Sequence, residues 1–570
     1  MIESVAERTI IRYLSVGVPL ASAFVWASGT TDPVNITKLF VMGGVGLAVG
    51  VTTCAFFLGR WWKFSKPMLT VILLFQMAMI NSLVNGQGPF LQSYYGVSGR
   101  QTGFLTYFFL TLILVSASLV WNSKLHVNLV KGLLFVGVLN ILYCGWVLVF
   151  GDFLPWNNIY RSILGLFGNP DFISAFLGIF IVVCFSIFLK KNINLRERLL
   201  LVSFSAAAFF EIIKSHAIQG IVVTAGGLSL VVFFYLRSIC KTWVIPFLYT
   251  CLASALGLLA ILGTLQTGPL SFVYKRSVSL RGSYWHAGLG MGSRFPISGV
   301  GLDGYGDFYR QTRPPVALVD MPGVQVVSNV AHNVFIDFFA SGGWPLLVTY
   351  SLLNLLVMIA IFKHIRKEKK YDHIFVALST AWICYTVQSV ISINQVGLAI
   401  WGWVIAGSLL GYTRTVINTE SPSDVGRAKN IRKATNIRAK GTFFSPQLVA
   451  GIACVVGLFI SYPPLGSDIK WKSALESRDL ATLESSLKDS FLNPVPSSRY
   501  VMAYQIFGNS NLPDKALDYT RIIVKSNPNF FEGWKALYLM PASSKAEKDL
   551  AAKNMKRLDP LNPNVFSSAS

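Results

Sequence analysis

Asp171-Phe-Ile-Ser-Ala-Phe-Leu-Gly-Ile-Phe-Ile-Val-Val-Cys-Phe-Ser-Ile-Phe-Leu189 lies between a polar motif, Asn169-Pro170-Asp171, and a lysine pair, Lys190-Lys191. From Phe172 to Leu189 no side chain is charged, and a helix of about 20 apolar residues crosses the ~30 Å hydrocarbon core of a bilayer. The run therefore reads as a transmembrane helix, and similar runs recur along the chain. They lie near residues 10–28, 39–59, 67–84, 104–121, 127–150, 171–189, 199–213, 220–236, 243–264, 344–362, 374–393, 395–412 and 443–461, with 199–213 the shortest. Hydrophobic residues make up 53% and charged residues 13% of 570 positions, a composition of the polytopic membrane class. The expected fold is all-α, a bundle of about 12–13 transmembrane helices followed by a polar C-terminal part.

Lys and Arg in short loops set the expected orientation. One set of alternate loops carries Arg60, Lys63, Lys66; Lys124, Lys131; Lys190, Lys191, Arg196, Arg198; Arg237, Lys241; Lys363, Arg366, Lys367, Lys369, Lys370; and Arg414, Arg427, Lys429, Arg432, Lys433, Arg438, Lys440. The opposite short loops carry only Lys38, Arg100, Arg161 and Lys214, a contrast of 23 to 4. The N-terminus is then cytoplasmic, and the tail, after an odd number of spans, faces outward. Arg8 and Arg12 precede the first span and Ala27-Ser28-Gly29 follow it. It reads as an uncleaved helix, because its removal leaves an even number of spans and spoils the charge alternation.

Most of the formal net charge of +23 sits in the cytoplasmic loops, where topology and anionic headgroups account for it. No nucleic-acid partner is expected. The basic stretch 413–442 reads as a solvated cytoplasmic linker on the membrane surface. Cys54, Cys144, Cys184, Cys251, Cys384 and Cys454 lie in spans and Cys240 in a cytoplasmic loop; neither a disulfide framework nor a metal site is indicated.

Residues 462–570 carry a period. Asn493-Pro494, Asn527-Pro528 and Asp559-Pro560 are spaced by 34 and 32 residues, each after a helix-like stretch, which is the spacing of tetratricopeptide repeats. Ala516, Trp534, Leu537 and Ala551 supply the large and small residues that such helix pairs interleave. An unrelated small helical bundle is the other reading. Either surface suits a peptide, a partner protein or the chain's own membrane domain.

Residues 265–343 form one long outward loop, and loops of that length are usually functional. It contributes Lys275, Arg276, Arg281, Tyr284, Trp285, His286 and Arg294, and closes with Ala331-His332-Asn333. Short outward loops add Gly96 to Gly103 with Arg100, Arg161 to Asp171, and Lys214-Ser215-His216-Ala-Ile-Gln219-Gly220. Basic residues at the membrane edge can neutralise a lipid-linked diphosphate, for which arginine's fork is well shaped; the plainer alternative is snorkelling to headgroups. Arg100, Arg161 and Lys214 are exceptions on a side otherwise depleted of positive charge. His332 reads either as a capping residue before the next apolar stretch or as a proton acceptor, with Asn333 and Asp337 placed to orient it or the acceptor. Gly299-Val-Gly301-Leu-Asp-Gly304 matches a dinucleotide-binding pattern only formally, since no strand precedes it; a tight turn or a close backbone approach between two loop helices is expected instead. Asp303 with Asp307 is too weak a signal for a cation site.

In order and on one membrane side, Gly96–Arg100–Gly103, Arg161–Gly168-Asn169-Pro170, Ser215–Gln219-Gly220, Arg281–Tyr284-Trp285, Pro296–Gly299-Val-Gly301–Phe308 and His332-Asn333–Gly343 resemble the O-antigen ligase and polymerase superfamily over residues 10–412. The resemblance implies a metal-independent, inverting membrane glycosyltransferase of the GT-C type, without cofactor. Such enzymes pass a glycan from undecaprenyl diphosphate to a hydroxyl acceptor on a lipid, glycan or protein. They serve surface polysaccharide and lipopolysaccharide biosynthesis at the bacterial cytoplasmic membrane. It implies His332 as the base or acceptor-positioning residue and Arg281 as the donor-diphosphate ligand. Arg100 and Arg161 would line the same cavity, with Asn333, Gln219, Asn169 and Trp285 in support. The chain departs from the ligase pattern at Ser215-His216-Ala, where an arginine is expected, which leaves Lys214 or His216 as the substitute contact. It departs again at Leu346, where a second glycine is expected.

The expected organisation is a membrane domain over 1–412, a linker over 413–442, a last transmembrane helix over 443–461 and an extracytoplasmic helical domain over 462–570. Two other classes stay open: a transporter or flippase, which requires ionisable residues along an intramembrane path and finds little beyond Glu211, and a scaffold protein whose working part is the tail.

Overall fold

Each of the thirteen apolar runs lies wholly or largely on a helix in the computed structural model, which describes residues 2–57, 65–264, 268–269, 276–319, 323–417, 444–563 and 565. The linker expected over 413–442 falls, from residue 418 on, outside the described residues, as do Arg60, Lys63 and Lys275. Among the described residues the chain is all-helical, with no β-strand beyond one isolated bridge.

In chain order the helices are α1 (Ile2–Ala23), α2 (Asn35–Phe57), α3 (Lys66–Asn85), α4 (Phe90–Tyr95), α5 (Phe104–Leu119), α6 (Ser123–Phe150), α7 (Pro170–Phe188), α8 (Leu195–Lys214), α9 (Ile218–Ile239) and α10 (Val244–Thr264). The long loop holds α11 (Arg276–Arg294), α12 (Tyr305–Thr312) and α13 (Val316–Val319). Then come α14 (Val334–Lys367), α15 (His373–Ser389), α16 (Val396–Ile417) and α17 (Pro446–Ser477). The tail adds α18 (Leu480–Ser486), α19 (Ser497–Asn509), α20 (Pro513–Ser526), α21 (Phe531–Leu539) and α22 (Lys545–Leu558).

Seven of these, α2, α3, α6, α7, α9, α14 and α17, are long and apolar enough to cross a membrane. Helices α5, α10 and α16 contain shorter apolar stretches, whereas α1 and α8 carry charges in their first two turns, such as Arg8, Arg196 and Arg198. The helices start where the sequence offers caps. Asn169 accepts from Asp171 N–H with Pro170 in the first turn of α7, and Ser445 accepts from Leu448 N–H ahead of Pro446 on α17, the arrangement that satisfies the free donors of a helix start.

Two expected boundaries move. The loop expected to run to residue 343 turns helical nine residues earlier, at Val334, because Asn333 Oδ1 caps Phe335 and Ile336 N–H at 3.0 and 3.2 Å. Helix α14 then kinks at Gly343, whose φ is 65°. The last helix does not end at 461 but continues through Pro463 and Pro464 to Ser477, carrying Trp471 into the tail's core. Where α17 crosses α2, Gly43, Gly457 and Ser461 let the backbones approach, and Ser461 Oγ donates to Phe40 O at 3.0 Å, as small residues do in membrane packing.

The kink of α14 receives the glycine-rich turn between α11 and α12. Val300 N–H donates to Ala340 O at 2.8 Å, Gly301 N–H to Ser341 O at 3.1 Å, and Trp344 N–H to Pro296 O at 2.8 Å. The close approach expected for these glycines is therefore made, but onto α14 and not between the loop helices. Gly299 has φ 65°, and a Cβ there would lie 2.2 Å from the backbone of Ser341. Gly299→Ala is accordingly expected to cost at least about 1–3 kcal/mol, read as a lowered melting temperature in detergent; an unchanged Tm would refute this docking.

In the tail, α19 with α20 and α21 with α22 form two helix pairs, and the Asn/Asp-Pro dipeptides fall before, between and after them. Ala516, Ala551, Trp534 and Leu537 are buried in their shared core beside Phe507, Tyr519 and Met555. Asp468 on α17 binds Arg499 at 2.6 Å and accepts from the N–H groups of Thr31 and Asp32. Tyr95 OH donates to Phe491 O at 3.0 Å, so the tail rests directly on the loops between the first membrane helices.

Candidate functional site

At the loop-rich end where the tail rests, α11 and the segment before α14 bring an arginine and a histidine together. His332 has φ 52°, and its ring stacks on Tyr284 at a centroid separation of 5.5 Å. The hydroxyl of Tyr305 donates to Tyr284 O from beneath. Asn333 and Asp337 shape the backbone around the histidine: Asn333 is the α14 cap, and Asp337 Oδ1 accepts from Ala331 N–H at 2.7 Å. The imidazole is pushed down to about 4 by burial first, and then by the positive charges of Arg281 and Arg100. It is therefore neutral at pH 7, the state a proton acceptor requires.

Arg281 lies one helical turn before Tyr284 on α11. Burial lowers its affinity for the proton, and Asp171, in the first turn of α7, opposes that effect from within electrostatic reach. There Asn169 caps the helix and donates to Tyr160 OH at 3.0 Å. Trp285 presents a buried indole N–H that has no hydrogen-bond partner, and both polar atoms of the Gln219 amide are likewise buried and unpartnered. Gln219 opens α9, where Gly220 packs on the Ser174 backbone of α7.

Arg100 lines two cavities. The larger, about 520 Å³, is walled by Trp156, Tyr160, Phe172, Asn169, Gln395 and Lys472, among others, and the smaller includes Asp303, Tyr305 and Asp337. Buried Arg100 Nε makes no hydrogen bond. The Arg100 loop is tied to the long loop by Asp303, which accepts from Val97 N–H, Thr102 N–H and Thr102 Oγ. Asp307 accepts instead from Gln92 and Asn527, so the two carboxylates serve as separate brackets between segments.

Arg161 and Lys214 are exposed and line neither cavity. Ser162 Oγ donates to Ser215 O at 3.0 Å, joining their loops, and Lys214 Nζ sits 5.5 Å from the Phe210 ring centroid. The fold thus groups His332, Arg281 and Arg100 by charge, sets Asn169 on the same cavity as Arg100, and leaves Arg161 and Lys214 outside that group. Asp171 and Lys472 are additions. Asp171 stood inside a quoted motif without a role, and no local signal in the sequence connects Lys472 to residues 27–35.

Fold and site together define a membrane-embedded helical bundle with two cavities that share Arg100. No protein-family model and no curated protein matches the chain.

Proposed function

We propose that this chain transfers a glycan from undecaprenyl diphosphate to a hydroxyl acceptor at the outer side of a bacterial cytoplasmic membrane. The observation that carries this reading is a neutral imidazole held within electrostatic reach of two guanidiniums. In the reaction, His332 takes the acceptor hydroxyl proton, the oxygen attacks the anomeric carbon in line, and the C–O bond to the diphosphate breaks with inversion. Arg281 and Arg100 hold the departing diphosphate and stabilise its growing charge, with Arg161 and Lys214 at the entrance. The aromatic and amide walls of the 520 Å³ cavity suit sugar rings, and the ordered motifs of residues 10–412 support an O-antigen ligase-like enzyme, with a polymerase or protein O-oligosaccharyltransferase as sister reactions. The tail reads as tetratricopeptide-like.

Gene deletion in the host tests the reading. Lipid-carried polymer left unattached is expected for a ligase and single repeat units for a polymerase; unchanged surface glycan rules out both. Buried Glu211, with one carboxylate oxygen unpartnered, is the feature that favours a transporter. Glu211→Gln leaves transfer by purified protein unaffected if the enzyme reading is right, and abolishes export if the transporter reading is.

Orientation has its own test. A cysteine at exposed Ser510 is expected to react with an impermeant thiol reagent from outside the cytoplasmic membrane, and one at exposed Lys367 is not, above the background of the seven native thiols. The reverse pattern inverts the topology and removes the outward site.

A further inference from the structure

A buried charge cluster joins the tail to the long loop. Asp559, at the end of α22, is 0% exposed, Arg313 2% and Arg310 4%. Arg313 Nη2 donates to both Asp559 carboxylate oxygens at 2.6 and 2.7 Å. Arg310 reaches the same carboxylate at 3.4 Å and Glu532 at 2.9 Å, with its guanidinium 4.4 Å from the Phe531 ring centroid. Both arginines also donate to Val324 O. On the same short helix, Asp307 accepts from Asn527 at 3.0 Å.

Helix α12 and the residue just after it carry this attachment, while its other face carries the site. Tyr305, Phe308 and Tyr309 pack with Ala287 and Met291 of α11 and with Ala331. Tyr309 lies edge-on to Tyr284 at 5.9 Å, and Tyr305 bonds the Tyr284 carbonyl; Tyr284 in turn stacks on His332. Removing one partner of a buried ion pair leaves the other charge stranded, which displaces the elements that carry it.

We infer that the C-terminal helical unit braces the candidate site from behind, with Asp559, Arg313 and Arg310 as positioning residues that fix α12 and, through it, the Tyr284–His332 stack. The activity arm of the test rests on the proposed transfer; the exchange arm does not.

Full-length protein in nanodiscs is compared as wild type, Asp559→Asn and Arg313→Lys, with Arg521→Ala as a control that removes ion pairs of an exposed arginine to Glu547 and Asp518 inside the tail. Amide hydrogen exchange is followed over 284–286, 305–312 and 331–333, and transfer is measured against an undecaprenyl-diphosphate-linked glycan. In Asp559→Asn, exchange is expected to quicken in all three segments while that of α7 and α9 stays as in wild type. The turnover number kcat should fall roughly 10²-fold with KM for the donor within about threefold, the mark of a displaced reacting group. Arg313→Lys, which keeps the charge, should fall between, and Arg521→Ala should match wild type. If Asp559→Asn does not accumulate, Arg310→Lys carries the same readings. Exchange unchanged at 331–333, unchanged kcat in an active preparation, or an equal loss in Arg521→Ala overturns the inference. A wild-type protein that transfers nothing while Asp559→Asn still loosens 331–333 removes the reaction and leaves the positioning role standing.

Discussion

His332→Ala is expected to lower transfer by about 10² to 10⁴-fold, the usual consequence of losing a general base, with protein level and donor binding close to wild type. In the proposed reaction the imidazole meets the acceptor hydroxyl and not the lipid diphosphate, so the loss belongs to kcat. Its protonation adds a second reading. Because burial, Arg281 and Arg100 push the group down to about 4, the neutral base persists through the physiological range. The acid limb of kcat/KM is then expected near 4, well below the ordinary histidine value of about 6.5, with activity lost as pH falls through that limb. Arg281→Ala removes one repelling charge and should move the residual limb part of the way up, since burial is the larger cause. A limb near 6.5 in wild type, or near-normal turnover in His332→Ala, demotes the residue to a loop-shaping role.

Arg281 should separate shape from charge. A diphosphate clamp uses the planar fork of guanidinium, so Arg281→Lys is expected to lose at least about tenfold in activity despite keeping its charge. Arg281→Ala should lose about 10²-fold or more, chiefly through weaker donor binding and a poorer leaving group. A snorkelling arginine predicts instead that Arg281→Lys keeps full activity, because lysine reaches headgroups equally well. Full activity of Arg281→Lys, with purified protein, a lipid-diphosphate donor and chelator present, removes the clamp. Activity lost on adding chelator to wild type removes the metal-independent mechanism.

The helices were legible because their signals are local. The run Asp171–Leu189 announces α7 by hydropathy, and Asn169-Pro170 announces its start by cap chemistry. The tail's helix pairs were legible from the spacing of three dipeptides. Less legible were the ends of α14 and α17. Asn333 is expected to orient His332 or the acceptor, yet its oxygen starts a helix, and the last span, expected to end at 461, continues through Pro463 and Pro464. The start of α14 is set by the Asn333 cap, whereas the extension of α17 is set by packing, which carries Trp471 into the tail core.

By itself the sequence determined that the chain is helical and membrane-embedded, and it singled out the polar residues that stand apart from an apolar background, since hydropathy, caps and charge excess are properties of neighbouring residues. Only the tertiary structure decided which of those residues meet. Arg100 and Arg281 come from separate segments to act on His332, and Asp171 from a third acts on Arg281, while Arg161 and Lys214, alike in sequence, stay exposed. It also decided that the tail closes on the long loop, where Arg313 and Asp559 pair across 246 residues. A buried ion pair over that separation has no local signature. It forms because helices packed by their apolar faces leave these two charges no solvent, so that each must be satisfied by the other and by the neighbouring Arg310 and Val324 carbonyl.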